Sequence, residues 1–207
     1  MEITAEKTPA GNASSFMITA EACADVAARE ALLDRAMGHG RKRKSSEKLR
    51  RGRRPSQGLA FVARDASGAV IGTVRLWDVT FRVPVWEKEE RGSRGEGEGA
   101  WKSALLLGPL AVAPAHASAG IGSALMRHAI AEAARLGHRA ILLVGDAPYY
   151  KRFGFSADKT AGLAMPGPYE RDRFLALELV QGALDGAHGT LKASGRRVKS
   201  GDVRLAA

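Results

Sequence analysis

Between the apolar run "ALLLGPLAVAP" and a stretch patterned as helix lies "ASAGIGSAL", Ala117 to Leu125. Two glycines one residue apart, after a strand and opening a helix, let the backbone come close to something: a phosphate or the neighbouring element. A P-loop would need a lysine followed by Ser or Thr, whereas Ser123 and Ala124 follow Gly122. A dinucleotide fingerprint would need a third small residue three positions on, where Leu125 stands. By itself the glycine pair fits tight helix–strand packing at least as readily as a phosphate site. Other residues able to do chemistry are Tyr149 and Tyr150 in "GDAPYYKRFGF", and the carboxylates Asp78, Asp146 and Glu170. His116, His128 and His138 have no zinc-like spacing with cysteine or carboxylate, so no metal is expected. Cys23, on the first predicted helix, reads as a core residue rather than a nucleophile.

The elements that must hold these residues can be read from periodicity. "TAEACADVAAREALLDRAM" predicts a helix over Thr19 to Met37, with Val26, Leu32, Leu33 and Met37 on one side. A short helix is expected from Ser45 to Arg51. "LAFVARDASGAVIGTVRLWDVTFRV" alternates apolar and polar residues around "DASGA", a strand–turn–strand pattern. "EKEERGSRGEGEG" reads as an exposed loop. "WKSALLLGPLAVAP" is apolar on both sides of the alternation, as in a strand buried on both faces, and Pro114 ends it. The helix from Gly120 to Leu136 carries a stripe of Ile121, Leu125, Ala129, Ala133 and Leu136, with Gly137 as its stop. "RAILLV" is a second buried strand, giving a right-handed strand–helix–strand unit. Asp146 then caps a short helix with Pro148 in its first turn, and "RFLALELV" supplies a last strand.

The 207 residues suffice for one domain with a real core and are short for two. No apolar run approaches the ~20 residues that span a bilayer, so no membrane partner is expected. The first residues lack the basic-then-apolar order of a secretory signal. With a single cysteine no internal disulfide is possible, and a cytoplasmic location is the expectation. The formal charge of +10 is concentrated in Arg41 to Arg54, where nine basic side chains face Glu47 alone, and in "KASGRRVKSGDVR" near the carboxyl end. Such tracts attract anions from nucleic acid to phosphorylated cofactors, or serve as solvated surface.

From Leu107 to Phe155, "LGPLAVAPAHASAGIGSALMRHAIAEAARLGHRAILLVGDAPYYKRFGF" resembles the GNAT superfamily of N-acetyltransferases, in its bacterial branch of acetyltransferases with unassigned acceptors. The likeness runs from strand through pyrophosphate loop, helix and next strand to Tyr-x-x-x-Gly-Phe, and extends over roughly Phe16 to Val180. It implies a mixed α/β fold: a central, mostly antiparallel sheet whose fourth and fifth strands are a parallel, splayed pair, flanked by helices. It implies a domain over residues 16–180, preceded by a loose arm over 1–15 and followed by a basic tail over 181–207, as a monomer or homodimer.

The resemblance also implies acetyl-CoA as cosubstrate and direct transfer of its acetyl group to an amine. The small residues Ala117, Ser118, Ala119 and Gly120, with Ile121, Gly122 and Ser123, would offer backbone amides to the pyrophosphate. The pantetheine arm would pair with the fourth strand at Leu110, Ala111 and Val112, where an amide could polarise the thioester carbonyl. Tyr150 would protonate the departing thiolate, with Tyr149 as a packing neighbour. The family often has long polar side chains where Ala117 and Ala119 stand, which implies weaker cofactor binding or compensation from Arg41 to Arg54. No carboxylate occupies the position of Gly108, where relatives carry a base; Asp78 and Glu170 are candidates only by location. The competing reading is a protein of this fold that binds nucleic acid through its basic tracts, or a coenzyme A sensor without turnover. The absence of interleaved aromatics weighs against nucleic acid.

Overall fold

In a computed structural model of the chain, residues 16–84 and 99–198 are described. The expected charged loop at "EKEERGSRGEGEG" and the expected arm over 1–15 lie outside them, apart from Gly99.

Strand β1 (Met17–Ala20) pairs antiparallel with β2 (Ala60–Arg64), and β2 with the long β3 (Val70–Val83). β3 forms an antiparallel ladder with β4 (Ala100–Val112) from Gly72–Val112 to Val83–Ala100. β4 is parallel to β5 (Ala140–Val144), and β5 antiparallel to β7 (Phe174–Glu178). The short β6 (Leu163–Ala164) pairs with β8 (His188–Ala193), which extends along the second half of β3 on the edge left open where β2 ends. The mixed sheet with its parallel β4/β5 pair is the architecture expected.

The helices are α1 (Val26–Met37), α2 (Ser45–Arg50), α3 (Ile121–Arg135) and α4 (Ala147–Lys151). Alternation along β4 sorts them onto two faces. Leu105 and Leu107 pack in one cluster with Ile121, Leu125, Met126, Ala129 and Ala133 of α3. Leu106, with Trp77 and Val79 of β3, packs with Leu49 of α2. α1 covers Ala111 through Leu32 and Leu33. α3 lies flat on its face because Gly72 has no side chain: a Cβ there would be 2.9 Å from Leu125 Cδ1 and 3.0 Å from Ile121 Cγ2.

Three expectations change. Thr19 and Ala20 are not helical; they end β1, and a 3₁₀ turn at Cys23–Asp25 intervenes before α1. Cys23 is consequently exposed rather than in the core. Leu136 lies just past the end of α3 and is 41% exposed, so the buried stripe stops at Ala133. Residues 181–198, read as the start of a basic tail, carry β8 and place Ala183, Leu184 and Leu191 in the core. The two basic tracts meet there: the Arg54 amide donates to the Arg196 carbonyl at 2.8 Å, and the Val198 amide to Gly52 at 2.9 Å.

Candidate active site

β4 and β5 pair only at Leu105–Ile141 and Leu106–Leu142. Past those positions β4 continues to Val112 with its β5-facing edge unpaired. A register shift against β3 falls between Val74–Leu110 and Leu76–Leu107, so that three β4 steps match two on β3, a bulge at Gly108–Pro109. The Gly108 carbonyl accepts a hydrogen bond from Trp77 Nε1 at 2.6 Å, which ties the bulge to β3. Beyond the bulge the Ala113 amide donates to Ile71 on β3. Because amide direction alternates along a strand, Ala111 also faces β3, while the Leu110 and Val112 amides face the open edge. Two of the three residues expected along the pantetheine therefore present amides there, and Ala111 instead buries its methyl against α1.

The glycine loop sits at the far end of that edge. Gly120 caps α3 in the left-handed conformation at φ 78°, and Ser118 is also left-handed at φ 64°, a conformation uncommon for a side-chain-bearing residue. Ala117 to Gly120 are exposed, Gly122 and Ser123 half-buried, and the Ile121 side chain is anchored in the core. Among the described residues the amides of Ser118, Gly120, Ile121, Gly122 and Ser123 have no hydrogen-bond partner, whereas those of Ala117 and Ala119 donate to Pro114 and His116 carbonyls. A Cβ on Gly122 would lie 3.0 Å from the Tyr149 hydroxyl and 3.6 Å from Val112 Cγ2, so the first turn of α3 abuts both. His116 Nδ1, just before the loop, is buried without a partner.

Asp146 caps α4 as expected, its carboxylate accepting from the Tyr149 amide at 3.3 Å. The Tyr149 and Tyr150 rings meet edge to face with centroids 4.9 Å apart, and Tyr150 leans on Phe155 at 6.0 Å. Arg152 covers the Tyr149 ring at 4.1 Å. The Tyr150 ring rests on the bare backbone of Gly145, where a Cβ would overlap its Cε2. Burial, with the neighbouring Tyr149, pushes the Tyr150 phenol up to about 12, against the opposing pull of Arg173.

Tyr150 and Val144 line a cleft of about 460 Å³ together with Leu107 to Leu110 of the bulge, Arg75 and Trp77 of β3, and side chains of α1 and α2. None of Ala117 to Ser123 lines it. The tract expected to compensate for the alanines in that loop instead faces this cleft: Arg41, Lys42, Lys44, Arg50 and Arg51 are in its wall. Arg41 is held by Glu30 at 2.5 Å and Asp34 at 2.7 Å, and Arg75 by Glu21 at 2.6 Å. Neither candidate base reaches the cleft. Asp78 accepts from Ser56 Oγ at 2.7 Å, and the exposed Glu170 pairs with Arg173. The carboxylates that do line it, Glu30 and Glu47, are each paired with arginine. Sequence reasoning missed Gly145, Trp77 and Arg50, since each matters through a neighbour distant in the chain or on the next turn. Among the described residues, no group of three or more His, Cys, Asp or Glu converges as metal ligands would, and no helix is long and apolar enough to cross a membrane.

Comparison with known proteins is consistent with this geometry. Residues 56–157 match the family model described as an acetyltransferase (GNAT) domain. The chain is similar to the GNAT family N-acetyltransferase YhbS of Escherichia coli, solved in complex with CoA, at 25% identity and a TM-score of 0.65 over 92% of this chain and 94% of that one. It shares its fold with a GNAT family acetyltransferase of Brucella melitensis solved with acetyl-CoA, at 24% identity and a TM-score of 0.51 over 83% and 99% of the two chains. A Staphylococcus aureus GNAT acetyltransferase has the same fold at 16% identity and a TM-score of 0.51, over 80% and 99%. No curated protein matches the sequence. Residues 56–157 carry an acetyltransferase (GNAT) domain, and the chain has the fold of GNAT family N-acetyltransferases.

Proposed function

We propose that this protein transfers the acetyl group of acetyl-CoA directly to an amine. The observation that carries the reading is the open edge of β4: it begins beside the free amides of α3, where Val112 adjoins Gly122, and ends at Leu110 in the cleft that Tyr150 lines.

The chain's residues fit such a cosubstrate. The unpartnered amides of Ser118, Gly120, Gly122 and Ser123, two left-handed residues and the positive end of α3 suit a pyrophosphate. Leu110 and Val112 would hold the pantetheine through their edge amides. Acetyl-CoA would supply a thioester whose C–S bond breaks as a C–N bond to the amine forms. Holding both partners in one cleft removes an entropic barrier to their meeting. Tyr150, which lines the cleft and keeps its proton at Oη, would offer it to the leaving sulfur. Against a thiol near ~8.5, a phenol at about 12 makes complete transfer to the free thiolate uphill by about 5 kcal/mol. Tyr150 would therefore hydrogen-bond the sulfur as its charge develops, the proton released by the attacking nitrogen replacing any that the phenol gives up. Glu30 and Glu47 are tied to arginines, so the acceptor either enters as the neutral amine or loses its proton through water.

Calorimetry with acetyl-CoA on the wild type and on Gly122→Trp tests the loop: binding to the first and none to the second is expected. Thiol release across an amine panel, compared with Tyr150→Phe, tests the acid. Full turnover by Tyr150→Phe at every pH would reject that role.

A second reading draws on the junction of the two basic tracts at Gly52–Arg54 and Arg196–Val198. If nucleic acid were the partner, its binding would weaken steeply with salt. The inward placement of Arg41 and Arg50 favours the enzyme.

A further inference from the structure

The wall of the cleft opposite Tyr150 holds an arginine with more donors than partners. Arg50, the last residue of α2, has a side chain only 10% exposed. Its Nη2 meets Glu47 at 3.2 Å and Ser46 Oγ at 3.3 Å. Its Nε is buried without a partner, and its Nη1 has none among the described residues. That Nη1 points past the bulge, 3.6 Å from where a Cβ on Gly108 would be, so the missing side chain at Gly108 leaves the guanidinium facing the reacting end of the cleft.

Glu47 offsets part of that charge, but the cleft as a whole stays cationic. Six cationic side chains line the cleft against the two carboxylates of Glu30 and Glu47. Arg41 and Arg75 are neutralised by their acidic partners, but Lys42, Lys44 and Arg51 form no ion pair among the described residues. Burial lowers the pKa of the Arg50 guanidinium, the direction that a bound oxyanion would reverse. A buried cation with unused donors is costly unless a partner of opposite charge arrives. The pyrophosphate is not that partner: α3 and its loop lie on the other face of the sheet, and none of Ala117 to Ser123 reaches the cleft.

We infer that the acceptor is a small amine that also carries an oxyanion, a carboxylate or a phosphate, and that Arg50 binds this anion through Nε and Nη1 while the amine lies towards Tyr150. A cleft of about 460 Å³ is of the size that takes a small molecule. This rests on the acetyl-transfer reading above and narrows its substrate class.

The test uses acceptors in pairs that differ only in the anion: amino acids against their carboxamides, and aminoalkyl phosphates against the corresponding amino alcohols. The wild type is expected to favour the anionic member by about ten- to a hundred-fold in kcat/KM, the worth of a charge-assisted hydrogen bond. Whichever pair shows the larger ratio tells carboxylate from phosphate. Arg50→Gln should bring the ratio towards one, and Arg50→Lys should retain part of it. Acetyl-CoA binding and the thermal midpoint confirm that each variant is folded. The wild-type ratio stands as a test independent of any variant, and it should shrink as ionic strength rises. A wild-type ratio near one, or one unmoved by Arg50→Gln, would overturn the inference and leave acetyl transfer standing. Acetyl-CoA binding with no transfer to either member of any pair would overturn both.

Discussion

The ring of Tyr150 occupies the space above Gly145: a Cβ at residue 145 would overlap Tyr150 Cε2 and lie 2.9 Å from Cδ2. Gly145 is buried at the end of β5, five residues before Tyr150, and its backbone is fixed to Arg173 by its amide at 2.9 Å. The glycine is thus required by the position of the tyrosine, not by an unusual backbone angle.

Gly145→Ala should therefore displace the Tyr150 ring. Overpacking of this kind costs about 1–3 kcal/mol of stability. Turnover is expected to fall at least as far as in Tyr150→Phe, while the dissociation constant for acetyl-CoA, which we propose is set mainly at the glycine loop, changes by a smaller factor. Parallel kinetics, calorimetry and thermal melts check this. Undiminished turnover in Gly145→Ala would show that the ring need not sit where it does.

The raised pKa of Tyr150 has a definite consequence at high pH. Its folded value of about 12 exceeds the unfolded value of ~10, so the stabilisation is fully present below pH ~10 and is lost as pH rises towards 12. The loss from this group amounts to about 2–3 kcal/mol across that window. In denaturant melts between pH 9 and about 12 the wild type should lose that amount of stability relative to Tyr150→Phe. Activity should show no falling limb from this phenol below pH ~10, because Tyr150 stays protonated there.

Trp77 holds the bulge. Trp77→Phe keeps the ring but leaves the Gly108 carbonyl without its 2.6 Å donor, for an expected cost of about 1–3 kcal/mol. Because Trp77 and Gly108 both line the cleft, KM for the acceptor should rise more than that for acetyl-CoA. Equal changes in both would mean that the bulge serves only stability.

Much of the frame was legible in residue pattern. The buried strands at β4 and β5, the amphipathic α3 and the Asp146 cap each rest on local chemistry: periodicity, a glycine stop, a side chain that reaches its own helix. What escaped depended on distant partners. β1 is four residues long and precedes a helix-favouring run, so its alternation is too brief to register; it exists because β2 offers an edge. β8 is masked by its polar character: Lys192 and the exposed His188 are themselves among the residues that pair with β3. Within the site, the Gly-x-Gly loop announced itself, but Arg50 looked like one more cation in a basic tract. Only packing of α2 against the sheet separates its buried guanidinium from solvated neighbours such as Arg51. The candidate bases failed for the converse reason: Asp78 and Glu170 lie near the cleft in the chain's order but are turned to Ser56 and Arg173.

We propose that this fold binds acetyl-CoA at the glycine loop and passes its acetyl group to an amine. The most direct measurement follows free thiol and N-acetylated product together, by absorbance and mass spectrometry, across an amine panel with wild type and Gly122→Trp. Thiol and product are expected in equal amounts, only when an amine is present, and neither with Gly122→Trp. Thiol released without acetylated amine, or transfer undiminished in Gly122→Trp, would contradict it.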